Sequence, residues 1–259
     1  MRDQTKNDRH TMNDLRTTES RRPVRGVMID LDDTLFDHRL SSRAGLEALR
    51  QAYDVCDACA IDALESLYQS LVAEVHHQVL RGELSLADGR TERTRQLFAG
   101  LGQTIDQATA GEAAMVYRDA YQAARVPIDG ALELLRKLRQ SAPVAIVTNH
   151  KHDEQIRKLE QIGLMTEIDH LVTSGAVGIE KPVAGIFEFA MAKLGVSPDE
   201  TVMFGDSWAA DVEGAAALGI RCVWLNRYAT ACPNPALATE RTSLQPVDEL
   251  AAVLLGEAR

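Results

Sequence analysis

The hydrophobic and polar positions divide the chain into stretches with different periodicities. Residues 24–29 form a short apolar and β-branched run, which is typical of a parallel strand buried on both faces. Between residues 41 and 125, apolar positions recur at intervals of three and four, which predicts a block of about four helices. After Pro127, short apolar runs alternate with helical stripes, and this pattern indicates βαβ units around a parallel sheet.

The second half of the chain predicts individual strands and helices. The predicted strands are Val144–Val147, Asp169–Val172, Thr201–Phe204 and Ile220–Leu225. The predicted helices are His152–Ile162, Val183–Leu194, Trp208–Leu218 and Val247–Leu255, and a glycine follows each of the first three. Residues 227–245, which include Pro233 and Pro235, are predicted to be irregular.

Together these patterns predict an α/β fold, a Rossmann-like parallel sheet core with an all-helical domain inserted after the first strand. The predicted core comprises residues 24–38 and 127–259, and the predicted insertion comprises residues 39–126. Residues 1–23 are mostly charged and polar, so burial there cannot offset the entropy lost on ordering. We predict that this segment is a disordered tail.

The charge narrows the classes of function that the chain can have. Of its 259 residues, 45% are hydrophobic and 25% are charged, as in ordinary globular proteins. A formal charge of −10 argues against nucleic acid as a partner, because such binding needs Lys and Arg to neutralise phosphates. No apolar run approaches the length of a membrane span, and no apolar signal segment is visible near the start, so we predict a cytoplasmic protein. The oligomeric state stays open.

Polar residues follow the predicted strands at the edge where an open parallel sheet binds its ligands. Asp30 and Asp32 follow the first strand, Thr148 and Asn149 end the second, and Asp206 follows the fourth. Because side chains alternate along a strand, Asp30 and Asp32 point to the same side.

Three carboxylates at one edge of the sheet need a positive partner. Two unit charges about 4 Å apart repel by about 4 kcal/mol at an effective dielectric constant of about 20. Mg²⁺ prefers oxygen ligands, and no His or Cys cluster lies near Asp30, Asp32 and Asp206. The residues therefore predict an Mg²⁺ site, with Lys181 supplying further positive charge.

Four motifs resemble those of the haloacid dehalogenase superfamily of hydrolases. In chain order they are Val27-Met28-Ile29-Asp30-Leu31-Asp32-Asp33-Thr34-Leu35, Val144-Ala145-Ile146-Val147-Thr148-Asn149, Lys181-Pro182 and Gly205-Asp206-Ser207-Trp208-Ala209-Ala210-Asp211. The resemblance covers nearly all of the chain after Arg25, and the helical insertion is similar to the C1 cap of that family. Their order at predicted strand ends makes coincidence a poor explanation.

The resemblance implies a phosphatase that hydrolyses a small phosphomonoester, such as a nucleoside monophosphate or a sugar phosphate. It implies that Asp30 is the nucleophile that forms an aspartyl-phosphate, and that Asp32 is the general acid and base. It also implies that Mg²⁺ is held by the Asp30 carboxylate, the Asp32 backbone carbonyl and Asp206, with Asp211 orienting water ligands or Lys181.

The resemblance further implies that Thr148, the backbone of Asn149 and Lys181 hold the phosphoryl oxygens. Some positions depart from the family pattern. Asp33 and His150 stand where glycine is frequent, and Val183-Ala184 replaces an Asp-Pro after the Lys-Pro pair. His38 and Arg39, in the linker to the insertion, either form a solvated hinge, which the notion of a moving cap favours, or contact the substrate.

Other functions remain as alternatives. A 2-haloacid dehalogenase shares the fold, and Val223–Arg227 resembles that branch, but such enzymes generally lack an acid two residues after the nucleophile. Asp32 therefore favours phosphate chemistry. A phosphomutase is also consistent with the motifs. A phospho-accepting receiver is disfavoured because the second and third strands end at Thr148 and Thr173, and an inactive scaffold is disfavoured because no catalytic residue is missing.

Overall fold

A computed structural model describes residues 22–80 and 82–257. Over these ranges, six parallel strands form one sheet in the order β3-β2-β1-β4-β5-β6. The strands are β1 (Gly26–Ile29), β2 (Val144–Thr148), β3 (His170–Thr173), β4 (Thr201–Gly205), β5 (Arg221–Leu225) and β6 (Ala238–Arg241). The predicted α/β class is confirmed. The tail predicted for residues 1–23 lies outside the described residues, apart from the exposed Arg22 and Pro23.

Helices pack on both faces of the sheet and fill the segment after β1. That segment contains α1 (His38–Ala52), α2 (Asp54–Asp57), α3 (Ile61–Leu80), α4 (Leu86–Gly100) and α5 (Gln107–Ala123). The later helices are α6 (Ala131–Arg139), α7 (His152–Gln161), α8 (Ser174–Val177), α9 (Ala184–Leu194), α10 (Gly214–Ala216) and α11 (Val247–Leu255). The predicted helical block thus has four long helices and the single turn α2.

Alternation along β1 divides the core into two layers. Val27 and Ile29 belong to an apolar cluster with Leu134 of α6 and Leu250 of α11. Met28 points to the opposite face and belongs to the cluster that contains α9. β1 lies between β2 and β4, and every β1 residue is buried. The carboxyl end of β1 is therefore held by packing on both faces of the sheet.

The helical block has an apolar core of its own, built from residues such as Leu46, Phe98 and Tyr117. It joins the sheet through two linkers that run side by side. The Ile128 N–H donates to the Leu35 carbonyl at 2.8 Å, and the Asp37 N–H donates to the Val126 carbonyl at 3.2 Å. The chain therefore leaves β1 and returns to the core at one place.

The structure corrects the interpretation of residues 227–245 as irregular. Within them, Ala238–Arg241 forms β6 and pairs in parallel with β5. This strand lies at the edge of the sheet, where one side has no partner strand, and its residues are only half-buried or exposed. An Ala-Thr-Glu-Arg strand therefore lacks the apolar run by which buried strands are recognised.

The predicted helix Trp208–Leu218 is also partly wrong. Trp208–Glu213 is a π-helix, and only Gly214–Ala216 is α-helical. The Val212 N–H lies 3.4 Å from the Ser207 carbonyl, five residues earlier. Wide turns of this kind are frequent at functional sites.

No helix among the described residues is both long and apolar enough to cross a membrane.

Candidate active site

The carboxyl ends of β1, β2 and β4 bring the predicted site residues to one edge of the sheet. Because these strands are adjacent and parallel, Asp30, Thr148 and Asp206 follow or end them on the same side. The Asp30 N–H donates to the Phe204 carbonyl at 2.9 Å, which continues the pairing of β1 with β4 by one residue. Trp224 of β5 donates from Nε1 to the Asp206 carbonyl at 2.7 Å and so holds the backbone after β4.

Lys181 lies between two carboxylates in the interior. Its Nζ is 2.6 Å from Asp30 Oδ1 and 2.6 Å from Asp211 Oδ1, and all three side chains are buried. Burial acts to lower the pKa of Lys181, but the charges of Asp211 and Asp30 outweigh it and raise the pKa above its ordinary value. Lys181 is therefore a permanent cation between Asp30 and Asp211.

Asp206 adds a third carboxylate that has no comparable cation of its own. Thr34 Oγ1 lies 3.2 Å from Asp30 Oδ2 and 3.4 Å from Asp206 Oδ1, and it accepts the Asp206 N–H at 3.1 Å. Burial first, and then repulsion from Asp30 and Asp211, raises the pKa of Asp206 to about 9. Burial likewise raises the pKa of Asp30 to about 7, against the opposing charge of Lys181.

The three carboxylates have the chemistry of a site for a hard cation. Asp30, Asp206 and Asp211 each offer an oxygen, and these oxygens all lie within 4.8 Å of one another. One ammonium group does not balance three carboxylates, and the raised pKa values of Asp30 and Asp206 express this deficit of positive charge. Carboxylate oxygens are the ligands that Mg²⁺ prefers, so these residues fit a divalent metal ion of that kind.

The Asp32 carboxylate lies outside this cluster. Lys158 donates a hydrogen bond to Asp32 Oδ1, Gln155 Nε2 donates to Oδ2 at 2.9 Å, and His38 Nδ1 lies 3.9 Å from Oδ1. Burial acts to raise the pKa of Asp32, but Lys158 and His38 outweigh it and hold the pKa well below its usual range. The predicted role of the Asp32 backbone carbonyl as a metal ligand stays a prediction.

Thr148 and Asn149 have different environments. Thr148 Oγ1 accepts a hydrogen bond from Gln155 at 2.8 Å and is buried. The Asn149 side chain donates to the Lys181 carbonyl at 2.9 Å and accepts the Lys181 N–H at 2.8 Å. Asn149 therefore aligns the segment that carries Lys181, a role that the sequence did not reveal.

Gly205 allows Asp211 to approach β4. A Cβ atom at position 205 would lie 2.2 Å from Asp211 Oδ2, a distance that no side chain tolerates. The Ser207 N–H donates to the same oxygen at 3.0 Å. The Gly-Asp-Ser-x-x-x-Asp sequence thus folds the Asp211 carboxylate back against the strand end and beneath Lys181.

Asp33 and Arg39 form the transition from β1 into the helical block. Asp33 has φ +61°, a conformation that glycine adopts readily, and its carboxylate accepts the Arg39 N–H at 2.9 Å. The Arg39 guanidinium binds Glu65 of α3 at 2.7 Å and lies 4.6 Å from the Tyr228 ring centroid. His38 Nδ1 lies 2.9 Å from the Tyr121 hydroxyl. These contacts join the helices to the strand ends.

A cavity of about 770 Å³ lies between the strand ends and helices α1, α3, α4 and α5. On the sheet side it reaches Asp32, Asp33, Asn149, His150, Lys158 and Tyr228. Asp30 and Lys181 are buried and do not line the cavity. The cavity has the size and position of a small-molecule site whose reacting end is at the carboxyl ends of the strands.

The sequence did not predict the residues that orient the predicted site residues. Gln155 and Lys158 are buried on α7, at the helical spacing of the buried Leu159 and Ile162. Polar residues inside an apolar stripe are the signal that could have identified them, because a buried polar group needs a partner. Thr34 lies within the first motif, but the sequence predicted no role for it.

A parallel sheet with an Asp-x-Asp-x-Thr strand end, a buried lysine and a helical insertion defines a class of hydrolases. The haloacid dehalogenase-like hydrolase family model matches residues 24–219, and the chain belongs to this family. The predicted family membership is confirmed.

Several relatives are named phosphatases. The chain is 31% identical over 233 residues to ribulose-1,5-bisphosphate 5-phosphatase of Halopiger xanaduensis, covering 86% of this chain and 95% of the relative. It is 30% identical over 235 residues to phosphoserine phosphatase of Thermus thermophilus, covering 78% and 88%. Among solved structures, the HAD-hydrolase YfnB of Bacillus subtilis, bound to magnesium, aligns with a TM-score of 0.70 and 23% identity over 90% of this chain and 99% of that one.

Proposed function

We propose that this protein is an Mg²⁺-dependent phosphomonoester hydrolase that acts on a small phosphorylated metabolite through an aspartyl-phosphate on Asp30. The observation that carries the proposal is the cluster of Asp30, Asp206 and Asp211 around Lys181 at the strand ends. The named activities of the relatives, which are phosphatases, support the same reaction class. A nucleoside monophosphate or a sugar phosphate is a substrate of suitable size.

The carboxylates of Asp30 and Asp206 and the backbone carbonyl of Asp32 would hold the Mg²⁺, with Asp211 beside them orienting Lys181. When bound, the ion supplies positive charge that offsets the repulsion between an anionic nucleophile and an anionic phosphate. Its presence in the magnesium-bound YfnB structure supports this assignment.

Asp30 attacks phosphorus through a carboxylate oxygen, and the bond from phosphorus to the ester oxygen breaks. Lys181 and Thr148 stabilise negative charge on the phosphoryl oxygens, with the backbone N–H of Asn149 as a third donor. Asp32 gives a proton to the departing alkoxide, so the alcohol leaves neutral. Water then attacks the aspartyl-phosphate, Asp32 takes a proton from that water, and phosphate leaves with Asp30 restored.

The contacts of Asp32 bear on these two proton transfers. Lys158 and Gln155 favour the ionised carboxylate, which is the form that activates water. Donation to the leaving group needs the protonated form. Lys158 faces the cavity, so we propose that an entering phosphate attracts Lys158 and releases Asp32 to carry a proton.

We propose that the helical block acts as a cap that closes over the substrate and excludes water during the attack. The paired linkers allow the block to rotate as one body, and YfnB is described as undergoing interdomain movement. The boundaries of 39–126 for the cap and 24–38 with 127–259 for the core belong to this proposal. The cytoplasmic location stays a prediction that cell fractionation would test.

The test compares the wild type with Asp30→Asn on p-nitrophenyl phosphate in MgCl₂ and in EDTA. We expect Asp30→Asn to lower kcat by about a thousandfold or more, because an amide is a poor nucleophile. Asp119→Asn, which changes an exposed carboxylate on α5, is the control and should match the wild type. Acid quenching followed by peptide mass analysis should place a phosphoryl group on the peptide that contains Asp30. Wild-type turnover by Asp30→Asn would refute the nucleophile.

Two alternatives give different results in the same experiment. A 2-haloacid dehalogenase would release chloride from 2-chloropropionate and would remain active in EDTA, because halide departure needs neither a proton donor nor a metal ion. A phosphomutase would form the phosphorylated peptide but transfer the group to a second hydroxyl instead of releasing phosphate. Metal-dependent phosphate release without either signature supports the hydrolase.

A further inference from the structure

Four arginines of the helical block form part of the cavity wall. Arg90 and Arg93 lie one helical turn apart on α4, Arg118 lies on α5, and Arg125 follows α5. We call these four residues the arginine cluster. None of them belongs to the four sequence motifs, and the proposed reaction does not use them.

The acidic groups in this cavity are already paired. Asp62 and Glu65 bind Arg43, Glu65 also binds Arg39, and Asp32 binds Lys158. Asp33 accepts the Arg39 N–H. These carboxylates therefore already have partners outside the arginine cluster.

The carboxylate of Glu154, on α7, pairs with two members of the arginine cluster. Its oxygens lie 3.6 Å from Arg90, 3.9 Å from Arg125 and 3.0 Å from Arg157. No carboxylate whose side chain the structure describes lies within ion-pair distance of Arg93 or Arg118. The wall thus carries an excess of positive charge inside a partly enclosed cavity.

The geometry of Arg93 points to a ligand. Its guanidinium lies 4.7 Å from the ring centroid of Tyr68, a buried side chain that fixes the plane of the cation. Its Nε is buried and has no hydrogen-bond partner in the described part of the chain, and the same is true of Arg125 Nε. An unpaired buried donor is costly, so such donors normally meet a partner.

The electrostatics of Arg90 agree with this geometry. Burial lowers the pKa of Arg90, and the charges of Arg118 and Arg93 lower it further against the attraction of Glu154. An anion placed among these guanidinium groups would relieve that repulsion. Guanidinium groups suit carboxylates and phosphates, because their N–H donors match two oxygens at once.

We propose that the arginine cluster binds a second anionic group of the substrate. The inference rests on the proposed function and specifies the substrate class: a phosphomonoester that carries a carboxylate or a second phosphate at the end remote from the reacting phosphate. The cavity supports this arrangement because it is continuous from Asp32 and Lys158 to Arg93 and Arg118.

The experiment measures kcat/KM with MgCl₂ for matched pairs of substrates. Glucose 6-phosphate and 6-phosphogluconate differ at the remote end by a carboxylate, and fructose 6-phosphate and fructose 1,6-bisphosphate differ there by a phosphate. We expect the member with the second anionic group to be preferred in at least one pair by about tenfold or more, as for a charge-assisted contact. The pair that shows the preference identifies the anionic group.

Variants then assign the preference to the cluster. Arg93→Gln and Arg118→Gln should each lower the kcat/KM ratio within a pair by about tenfold, mainly through a higher KM for the substrate with the second anionic group. Arg118 is exposed on α5, so its variant keeps the test valid if Arg93→Gln fails to fold. Arg95→Gln is the matched control: Arg95 also lies on α4 but binds Glu92 and does not line the cavity.

The outcomes separate the two proposals. Equal kcat/KM within both pairs, or a preference that survives both variants, refutes the arginine cluster as an anion site and leaves the phosphatase proposal intact. If neither these substrates nor p-nitrophenyl phosphate release phosphate, the proposed function is wrong and this inference falls with it.

Discussion

Lys158 donates a hydrogen bond to Asp32 across 126 residues of sequence, and its side chain is almost completely buried. The ammonium group also lies 4.8 Å from the centroid of the Phe36 ring. Both contacts position the ammonium group, and Lys158 in turn orients the Asp32 carboxylate before substrate enters.

Replacing Lys158 with Met should therefore lower kcat/KM for phosphomonoester hydrolysis by about ten- to a hundredfold, because Asp32 loses its orienting partner. Steady-state kinetics with p-nitrophenyl phosphate would measure the effect. Lys137→Met is the control, since Lys137 is a half-buried lysine that pairs with Asp248 and does not line the cavity. An unchanged kcat/KM in Lys158→Met would contradict the role assigned to the contact.

Asp206→Asn should raise the Tm in the absence of metal and reduce the increase in Tm that Mg²⁺ produces. In EDTA near pH 7 we expect the variant to melt about 2–4 °C above the wild type, because the raised pKa of Asp206 destabilises the folded state above pH 4, and the amide removes about 1 kcal/mol or more of that cost. In MgCl₂ the wild type should gain more in Tm than the variant. Differential scanning fluorimetry measures both, with Asp119→Asn as the exposed control. A variant that gains as much from Mg²⁺ as the wild type would exclude Asp206 as a ligand.

Gly205→Ala should destabilise the site, because its Cβ would collide with Asp211 Oδ2 at 2.2 Å. Asp211 then has to move away from Lys181, which leaves a buried cation short of a partner and costs about 2 kcal/mol or more. Gly111→Ala is a matched comparison within α5, where a Cβ meets nothing within 4 Å. It should be neutral or stabilise by about 0.5–1 kcal/mol. Urea unfolding of both variants measures the difference, and equal stabilities would contradict the packing argument.

Asp169 should make stability depend on pH in the acid range. Burial acts to raise its pKa, but the Val144 N–H at 2.8 Å and Arg139 at 2.9 Å lower it below the ordinary value of 3.8. A lowered pKa means that the stabilisation is present above pH 4 and disappears as the pH falls through the folded value. Asp169→Asn should thus be less stable by about 1–2 kcal/mol at pH 7, and the difference from the wild type should shrink as the pH falls below about 4. A constant difference in unfolding free energy across that range would refute the assignment.

The strand ends could be predicted because buried parallel strands are apolar runs that an aspartate interrupts. Asp30 and Asp206 follow such runs directly, so the topology brought them together as expected. Edge strand β6 could not be predicted in the same way, because Thr239 and Glu240 are exposed and its partner lies on one side only. Local hydrophobic patterns identify buried strands, and the residues of β6 are only half-buried or exposed.

The partners of the predicted residues depend on tertiary packing, which a helical period does not specify. The spacing of Lys158 within an apolar stripe indicates burial but not its partner, and only the packing of α7 beneath Asp32 makes Asp32 that partner. The same holds for Arg93 and Arg118, which face one cavity because α4 and α5 pack side by side. The spacing of residues along one helix does not specify how the other helix packs against it.

The paired linkers at residues 35–37 and 126–128 make the helical block a side branch of the chain. The backbone leaves and re-enters the core within one hydrogen-bonded pair of segments, so a change in the number or length of the intervening helices does not alter the separation of β1 and β2. The residues at the strand ends can consequently stay the same while the helical block changes in sequence or length. Related proteins can then differ in substrate without any compensating change in the sheet.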